Sequence, residues 1–177
     1  MRLIGARADL AHAPLADVNA FRELYDQLLP QIYAYFYHRC GAASTAEELT
    51  QETFLAAVTE LRGGKETDDP PAWIRGVARH KLIDHYRQRA RRERVSPVAL
   101  AMSADAEVWE AAEQRELTLG TLAALPALQR AALVLRYLDD LTVADVARAL
   151  GKSIHATESL LARGKENFRR AYPEAAR

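Results

Sequence analysis

The densest run of residues able to meet a polyanion lies between Arg75 and Arg94, where eight cations stand against two carboxylates, a local charge of +6. Within it His80, Asp84, Arg87 and Arg91 are spaced four, three and four apart, so a helix would carry them on one face. Arg79 and Lys81 flank that face, with Trp73 and Arg75 near its start. Cationic side chains neutralise phosphates and release their counterions. Aromatic rings beside cations suit unstacked bases. An aspartate inside such a face can hold Arg87 or His80 in a fixed pose. Taken alone, the same residues also fit a solvated basic helix.

A second basic stretch, Asp145 to Arg170, holds six cations and three carboxylates. It contains a pattern more specific than charge. Val146, Ala147 and Leu150 share one helix face, and Ala147 is small where another helix must cross closely. Gly151 permits a sharp turn, and Ser153 can cap the helix that follows. Ile154, Leu161 and Phe168, with Thr157 on the same line, are expected to form the inward stripe of that second helix. Together these features describe a helix-turn-helix. The outward side then carries His155, Glu158, Ser159 and Arg163, within reach of base edges, while Lys165, Arg169 and Arg170 lie where phosphates would be.

Two acidic segments alternate with the basic ones. Ser44 to Pro70 holds seven carboxylates and two cations, and Ala104 to Thr118 holds five and one. Glu48, Gln51 and Glu52 share a helix face, with Phe54, Leu55, Val58 and Leu61 expected in the core. DNA would repel such a face, so it serves either solvent or a partner protein. Catalysis finds no support: there is no phosphate-binding glycine loop, nucleophile elbow or zinc motif, and no cofactor is expected. The single Cys40 excludes an intramolecular disulfide and a cysteine-cluster metal site, and no metal site is expected.

The elements that must position these faces are helical. The chain has 177 residues, of which 49% are apolar, enough for one average domain or two small ones. Alanine and leucine dominate over β-branched residues, which predicts an all-α fold. A leader over 1–16 precedes a helix from about Asp17 to Leu29. Pro30 is expected to open a second helix, Gln31 to Arg39, ended by Gly41. Ser44-Thr45-Ala46-Glu47 has capping-box form before a helix to about Leu61. Pro70 and Pro71 start a long helix to about Arg94. Further helices are expected from about Asp105 to Ala124, Ala127 to Leu138, Thr142 to Leu150 and Ser153 to Tyr172. The expected division is a four-helix domain over 17–94, a linker over 95–112 and a helix-turn-helix domain over 113–177. No apolar run reaches membrane-spanning length and no signal peptide is evident, so a cytoplasmic protein without membrane insertion is expected.

At this point the residues match a known pattern. The chain resembles a bacterial RNA polymerase sigma factor of the extracytoplasmic-function type. Ala46-Glu-Glu-Leu-Thr-Gln-Glu-Thr-Phe54 resembles the acidic region-two helix that docks on the polymerase clamp. Trp73-Ile74, Arg79-His80 and Asp84-His85-Tyr86-Arg87 resemble the helix that opens and reads the minus-ten element. Leu122 to Leu135 with the helix-turn-helix resembles region four, the reader of the minus-thirty-five element.

The resemblance implies two small helical domains and binding without catalysis. Polymerase docking falls to Glu47, Glu48, Gln51 and Glu52. Minus-ten contacts fall to Trp73, Arg75, Arg79, His80, Lys81, Asp84, Arg87 and Arg91. Minus-thirty-five contacts fall to Ser153, His155, Ala156, Glu158, Ser159, Arg163 and Arg169. The loop Arg62 to Asp69 would take a flipped base, and the acidic linker would lie in the polymerase's basic RNA path. Implied partners are core RNA polymerase, promoter DNA and an anti-sigma factor. The sequence departs from the family where His80 replaces a common Asn, where His155-Ala156-Thr157 replaces Gly-Thr-Val, and where Glu158 and Leu160 replace basic residues. The alternative is a helix-turn-helix regulator that binds DNA without polymerase.

Overall fold

The computed structural model describes residues 18–95 and 110–172, whose regular structure is seven α-helices with no strand. The expected leader and most of the expected linker lie outside the described residues. Within them, 18–37 and 43–82 form one compact unit, and 38–42, 83–95 and 110–172 form another.

The first unit is built on a stripe with a step of four. Leu24, Leu28, Ile32 and Phe36 are at most 1% exposed, all on one line of α1 (Val18–Cys40). That line explains a correction: Pro30 lies inside one continuous helix instead of opening a second one. Pro30 faces solvent, and Leu28 and Ile32 on either side of it are both buried. Breaking the helix there would move one half of the stripe out of the core. Burial of those side chains, each worth about 1.5–3 kcal/mol, therefore outweighs the proline's penalty of about 3 kcal/mol.

The second helix, α2 (Ala43–Arg62), starts at Ala43, so Ser44 and Thr45 lie in its first turn instead of before it. Its buried side includes Ala46, Leu49, Phe54 and Ala57. Thr50 and Thr53 are also buried, and each hydroxyl donates to the carbonyl four residues back, at 2.6 and 2.7 Å, which removes the cost of burying it. The Phe54 ring meets Tyr25 edge-on at 4.6 Å. Three residues expected in the core are not there in full. Leu55 is 69% exposed, and Val58 and Leu61 are only half-buried.

The third helix, α3 (Pro70–Val95), begins with proline, whose missing N–H costs nothing in a first turn. The Asp69 carboxylate accepts from the Ala72 amide at 2.9 Å and completes the start. Ile74, Ala78, Leu82 and Tyr86 are buried, as their spacing predicts, and Ile83 joins them.

In the second unit, α4 (Glu110–Ala124), α5 (Ala127–Tyr137), α6 (Val143–Leu150) and α7 (Ile154–Ala171) follow in order. α5 packs on α6 and α7, α6 packs on α7, and α4 touches α7. α5 is buried almost all round. It includes Arg130, 1% exposed, whose guanidinium donates to the Cys40 carbonyl at 3.2 Å and lies 5.5 Å from the Tyr86 ring centre. The Tyr86 hydroxyl donates to the Arg39 carbonyl, and Arg39 pairs with Asp139 at 2.6 Å. The N-terminus of α5 is capped from α3, where the Glu93 carboxylate accepts from the Ala127 amide at 2.9 Å. This placement satisfies an amide that Pro126 leaves without a local cap.

The interior proline makes a direct prediction. Pro30→Ala is expected to raise the unfolding free energy by about 1–3 kcal/mol, because it restores a helical hydrogen bond and removes a ring clash at an exposed position. Urea denaturation of both proteins measures this, and an unchanged or lowered midpoint would contradict the continuous helix.

Candidate nucleic-acid and partner-docking surfaces

Three exposed faces stand on these elements. On α2, Glu47, Glu48, Gln51 and Glu52 all reach solvent. Leu55 stands one turn beyond Gln51 and Glu52, on the same line. Its exposure turns an acidic face into an acidic face with an apolar anchor. Position 55 lies seven residues after Glu48, so the helical period already assigned it to this side. Its hydrophobic type is what suggested the core.

On α3, Arg75, Arg79, His80, Asp84 and Arg91 are exposed, while Trp73, Lys81 and Arg87 are half-buried. The expected tether of Arg87 is present but loose. Its guanidinium lies 3.6 Å from Asp84, and one nitrogen also lies 3.4 Å from the Arg148 carbonyl. Lys81 pairs with Glu52 of α2 at 3.1 Å, so the acidic and basic faces meet at this point. Both side chains are well exposed, and such a pair contributes at most about 1 kcal/mol. Between the two helices, residues 63–69 form a loop in which Gly64 adopts the left-handed conformation at φ +86°.

The third face is the helix-turn-helix. Thr142 caps α6 by accepting from the Asp145 amide, and Val146, Ala147 and Leu150 are buried as predicted. Gly151 sits in the left-handed region at φ 62°, and its amide returns to the Ala147 and Arg148 carbonyls. Ser153 then caps α7 by accepting from the Ala156 amide at 3.1 Å. Thr157 is fully buried, and its hydroxyl donates to the Ser153 carbonyl. Leu161 and Gly164 complete the inward line, where Gly164 lies against Leu133 of α5 so closely that an added methyl would come within 3.2 Å of it.

The stripe expected for α7 needs one correction. Ile154 is 54% exposed and not inward, and Phe168 is half-buried. Ile154 lies one turn before Thr157, where the line runs off the end of the packed surface. Ser153, His155, Glu158, Arg163 and Arg169 are exposed, and Ala156 and Ser159 partly so. Arg163 donates to the Ser159 carbonyl at 3.2 Å, and Ser159 donates to the His155 carbonyl at 3.0 Å, so the outward row is ordered along the helix.

A further surface was missed by sequence reasoning. Thr118, Leu122, Leu133, Tyr137, Leu138 and Phe168 line a groove of about 270 Å³, with Lys165 and Arg169 beside it. Tyr137 and Leu138 are about half exposed, and Lys165 stands 5.0 Å from the Tyr137 ring centre. Its residues come from three helices, so no single periodic stripe reveals it.

Two groups at the end of α1 have shifted titration. Burial pushes the Cys40 thiol up to about 11, so it stays protonated at neutral pH and is a poor nucleophile. Burial first, then the charges of Arg115 and Arg39, hold His38 below the ordinary histidine range. Among the described residues no group of three or more His, Cys, Asp or Glu side chains could hold a metal ion, and no helix is long and apolar enough to cross a membrane.

Residues 24–92 match the Sigma-70 region 2 family, and residues 115–168 match the Sigma-70 region 4 family. The chain is 34% identical over 93% of its length to ECF RNA polymerase sigma factor BldN of Streptomyces coelicolor, and spans 65% of that relative. It is 31% identical over 88% of its length to ECF RNA polymerase sigma factor SigD of Mycobacterium tuberculosis, and spans 79% of that one. The fold is similar, at a TM-score of 0.51 and 20% identity, to the sigma factor RpoE crystallised with the anti-sigma factor NepR from Bartonella quintana. That likeness covers 87% of this chain and 97% of the solved one.

The turn at Gly151 is testable on its own. Apart from its chain neighbours, nothing lies within 4 Å of where a side chain would begin, so backbone strain is what opposes a substitution. Gly151→Ala is expected to lower the unfolding free energy by about 1–2 kcal/mol. Gly151→Asn should lose less, because asparagine tolerates this conformation. Equal stability of all three proteins by urea titration would contradict the strained turn.

Proposed function

The chain belongs to the ECF sigma factors of RNA polymerase, and from that premise we propose that it directs core polymerase to promoters. In this reading α2 docks on the polymerase, α3 with the 63–69 loop opens and reads the minus-ten element, and α7 reads the minus-thirty-five element. One observation carries the proposal: consecutive helices expose faces of opposite sign, acidic on α2 and basic on α3, ahead of a capped helix-turn-helix. A DNA regulator acting alone has no use for an acidic face beside its basic one.

The roles follow from the chemistry of each face. Glu47, Glu48, Gln51 and Glu52 offer acceptors to a basic or polar protein surface, and Leu55 supplies the apolar contact that such interfaces concentrate at their centres. Arg75, Arg79, His80, Arg87 and Arg91 follow a phosphate backbone, and Trp73 offers a ring to an unstacked base. His155, Ser159 and Arg163 face the major groove, and Glu158 can accept from a cytosine amino group. Ser153 and Arg169 serve the phosphates at either end of the helix. Nothing in these roles is catalytic, because each face binds and none holds a nucleophile beside a base.

The chain carries 24 cations and 24 carboxylates, so its overall field gives DNA no attraction. Two weak readers mounted on one large particle gain instead from effective concentration. The apolar groove edged by Lys165 and Arg169 suits an amphipathic helix with an acidic flank. A sigma factor of similar fold was crystallised with an anti-sigma factor, and a protein of that kind is the further partner proposed.

The double variant Glu48→Lys, Glu52→Lys tests the docking role. It is expected to abolish stable binding to purified core polymerase and run-off transcription, while changing folding stability by only about 0.5 kcal/mol. Undiminished polymerase binding in a titrated pull-down would remove the proposal.

A further inference from the structure

α7 begins with an exposed side chain that has no electrostatic business with DNA. Ile154 is the first helical residue after the Ser153 cap and is 54% exposed. The other large aliphatic side chains on the helix-turn-helix lines, Val146, Leu150 and Leu161, are at most 8% exposed. Ile154 is four residues before Glu158, so the two stand one above the other on the same side of the helix. His155 is exposed beside it. Lys152, two residues before it, is the kind of side chain that meets phosphate, whereas an aliphatic group meets none.

A recognition helix enters the major groove by its N-terminal residues. On the floor of that groove one edge is apolar: the C5-methyl of thymine. An aliphatic group at the leading end of the helix gains there from removing a methyl and its own surface from water. It gains nothing from cytosine, which lacks the methyl and presents an amino donor. We propose that Ile154 is a specificity-determining residue that selects thymine in the upstream promoter element by contact with its methyl group. The proposal rests on the assignment of α7 to the minus-thirty-five element.

The test uses the holoenzyme assembled from core polymerase and the full chain. A promoter library randomised over the upstream element is first selected with the wild-type holoenzyme, which is expected to enrich thymine at one or two positions. Each such thymine is then replaced by uracil, which removes the methyl and leaves every hydrogen-bonding group. At the position read by Ile154, uracil is expected to lower occupancy about fourfold, the worth of one buried methyl. The Ile154→Ala holoenzyme is expected to bind thymine and uracil promoters alike. Because Ile154 is exposed, the variant should keep its unfolding midpoint, which urea titration checks beforehand. A wild-type holoenzyme indifferent to uracil at every enriched thymine, or a penalty that persists unchanged in Ile154→Ala, overturns the role of Ile154 and leaves the sigma-factor reading standing. Selection of no upstream element at all overturns both.

Discussion

A tight turn of three residues, Gly151 to Ser153, decides what the C-terminal part of this chain can present. Gly151 takes up a left-handed conformation that side-chain-bearing residues resist, and its amide closes the end of α6. Two residues later the Ser153 hydroxyl opens α7 by accepting an amide that the helix cannot satisfy. Between them the two caps fix the crossing of α6 and α7, which places small and apolar residues, Ala147, Leu150, Thr157 and Leu161, on the inside. What remains outside follows from that crossing: His155, Ser159 and Arg163 run along α7 four residues apart, with Ile154 and Glu158 on a neighbouring line. A loosened turn would cost a few kcal/mol of folding energy and would also scramble which side chains face outward.

Charge acts at a different level, on partners more than on folding. The chain is neutral, yet α2 and α3 sort acid from base onto separate exposed faces. A direct pair between them, Glu52 with Lys81, is exposed and weak, so sorting is not explained by mutual attraction. It is explained if the two faces meet different molecules. Buried polar groups behave in the opposite way. Arg130, Tyr86, Arg39 and Glu93 each reach a backbone or side-chain partner, so that polar atoms hold the second unit together without a net field.

Much of this was legible in the sequence, where local rules and tertiary demands agree. The caps at Thr142 and Ser153, the glycine turn and the start of α3 at Pro70 lie where residue type alone predicts them. The differences arise where a neighbouring element outweighs residue type. Pro30 sits inside α1 because four stripe residues on both sides are buried together. Hydrophobicity alone assigns Leu55 and Ile154 to the core, but Leu55 stands on the exposed side of α2 and Ile154 where the inward line of α7 runs past the packed surface. Arg130 was missed because a cation at a buried position is unlikely on composition, and only the fold brings the Cys40 carbonyl and the Tyr86 ring to it. The groove at Leu133 and Tyr137 draws on three helices and leaves no trace in any one of them. The two misassigned aliphatic side chains lie on the faces proposed for partners, where exposure has a use.

The central claim is that a neutral chain reads DNA only when polymerase carries both of its readers. Footprinting one promoter with the chain alone, with core polymerase alone and with the two combined, at physiological salt, tests it most directly. The account predicts two separate protected patches, one per reader, with the combination and none with either component alone. Strong protection of a palindromic site by the chain alone, unchanged by adding polymerase, would contradict it.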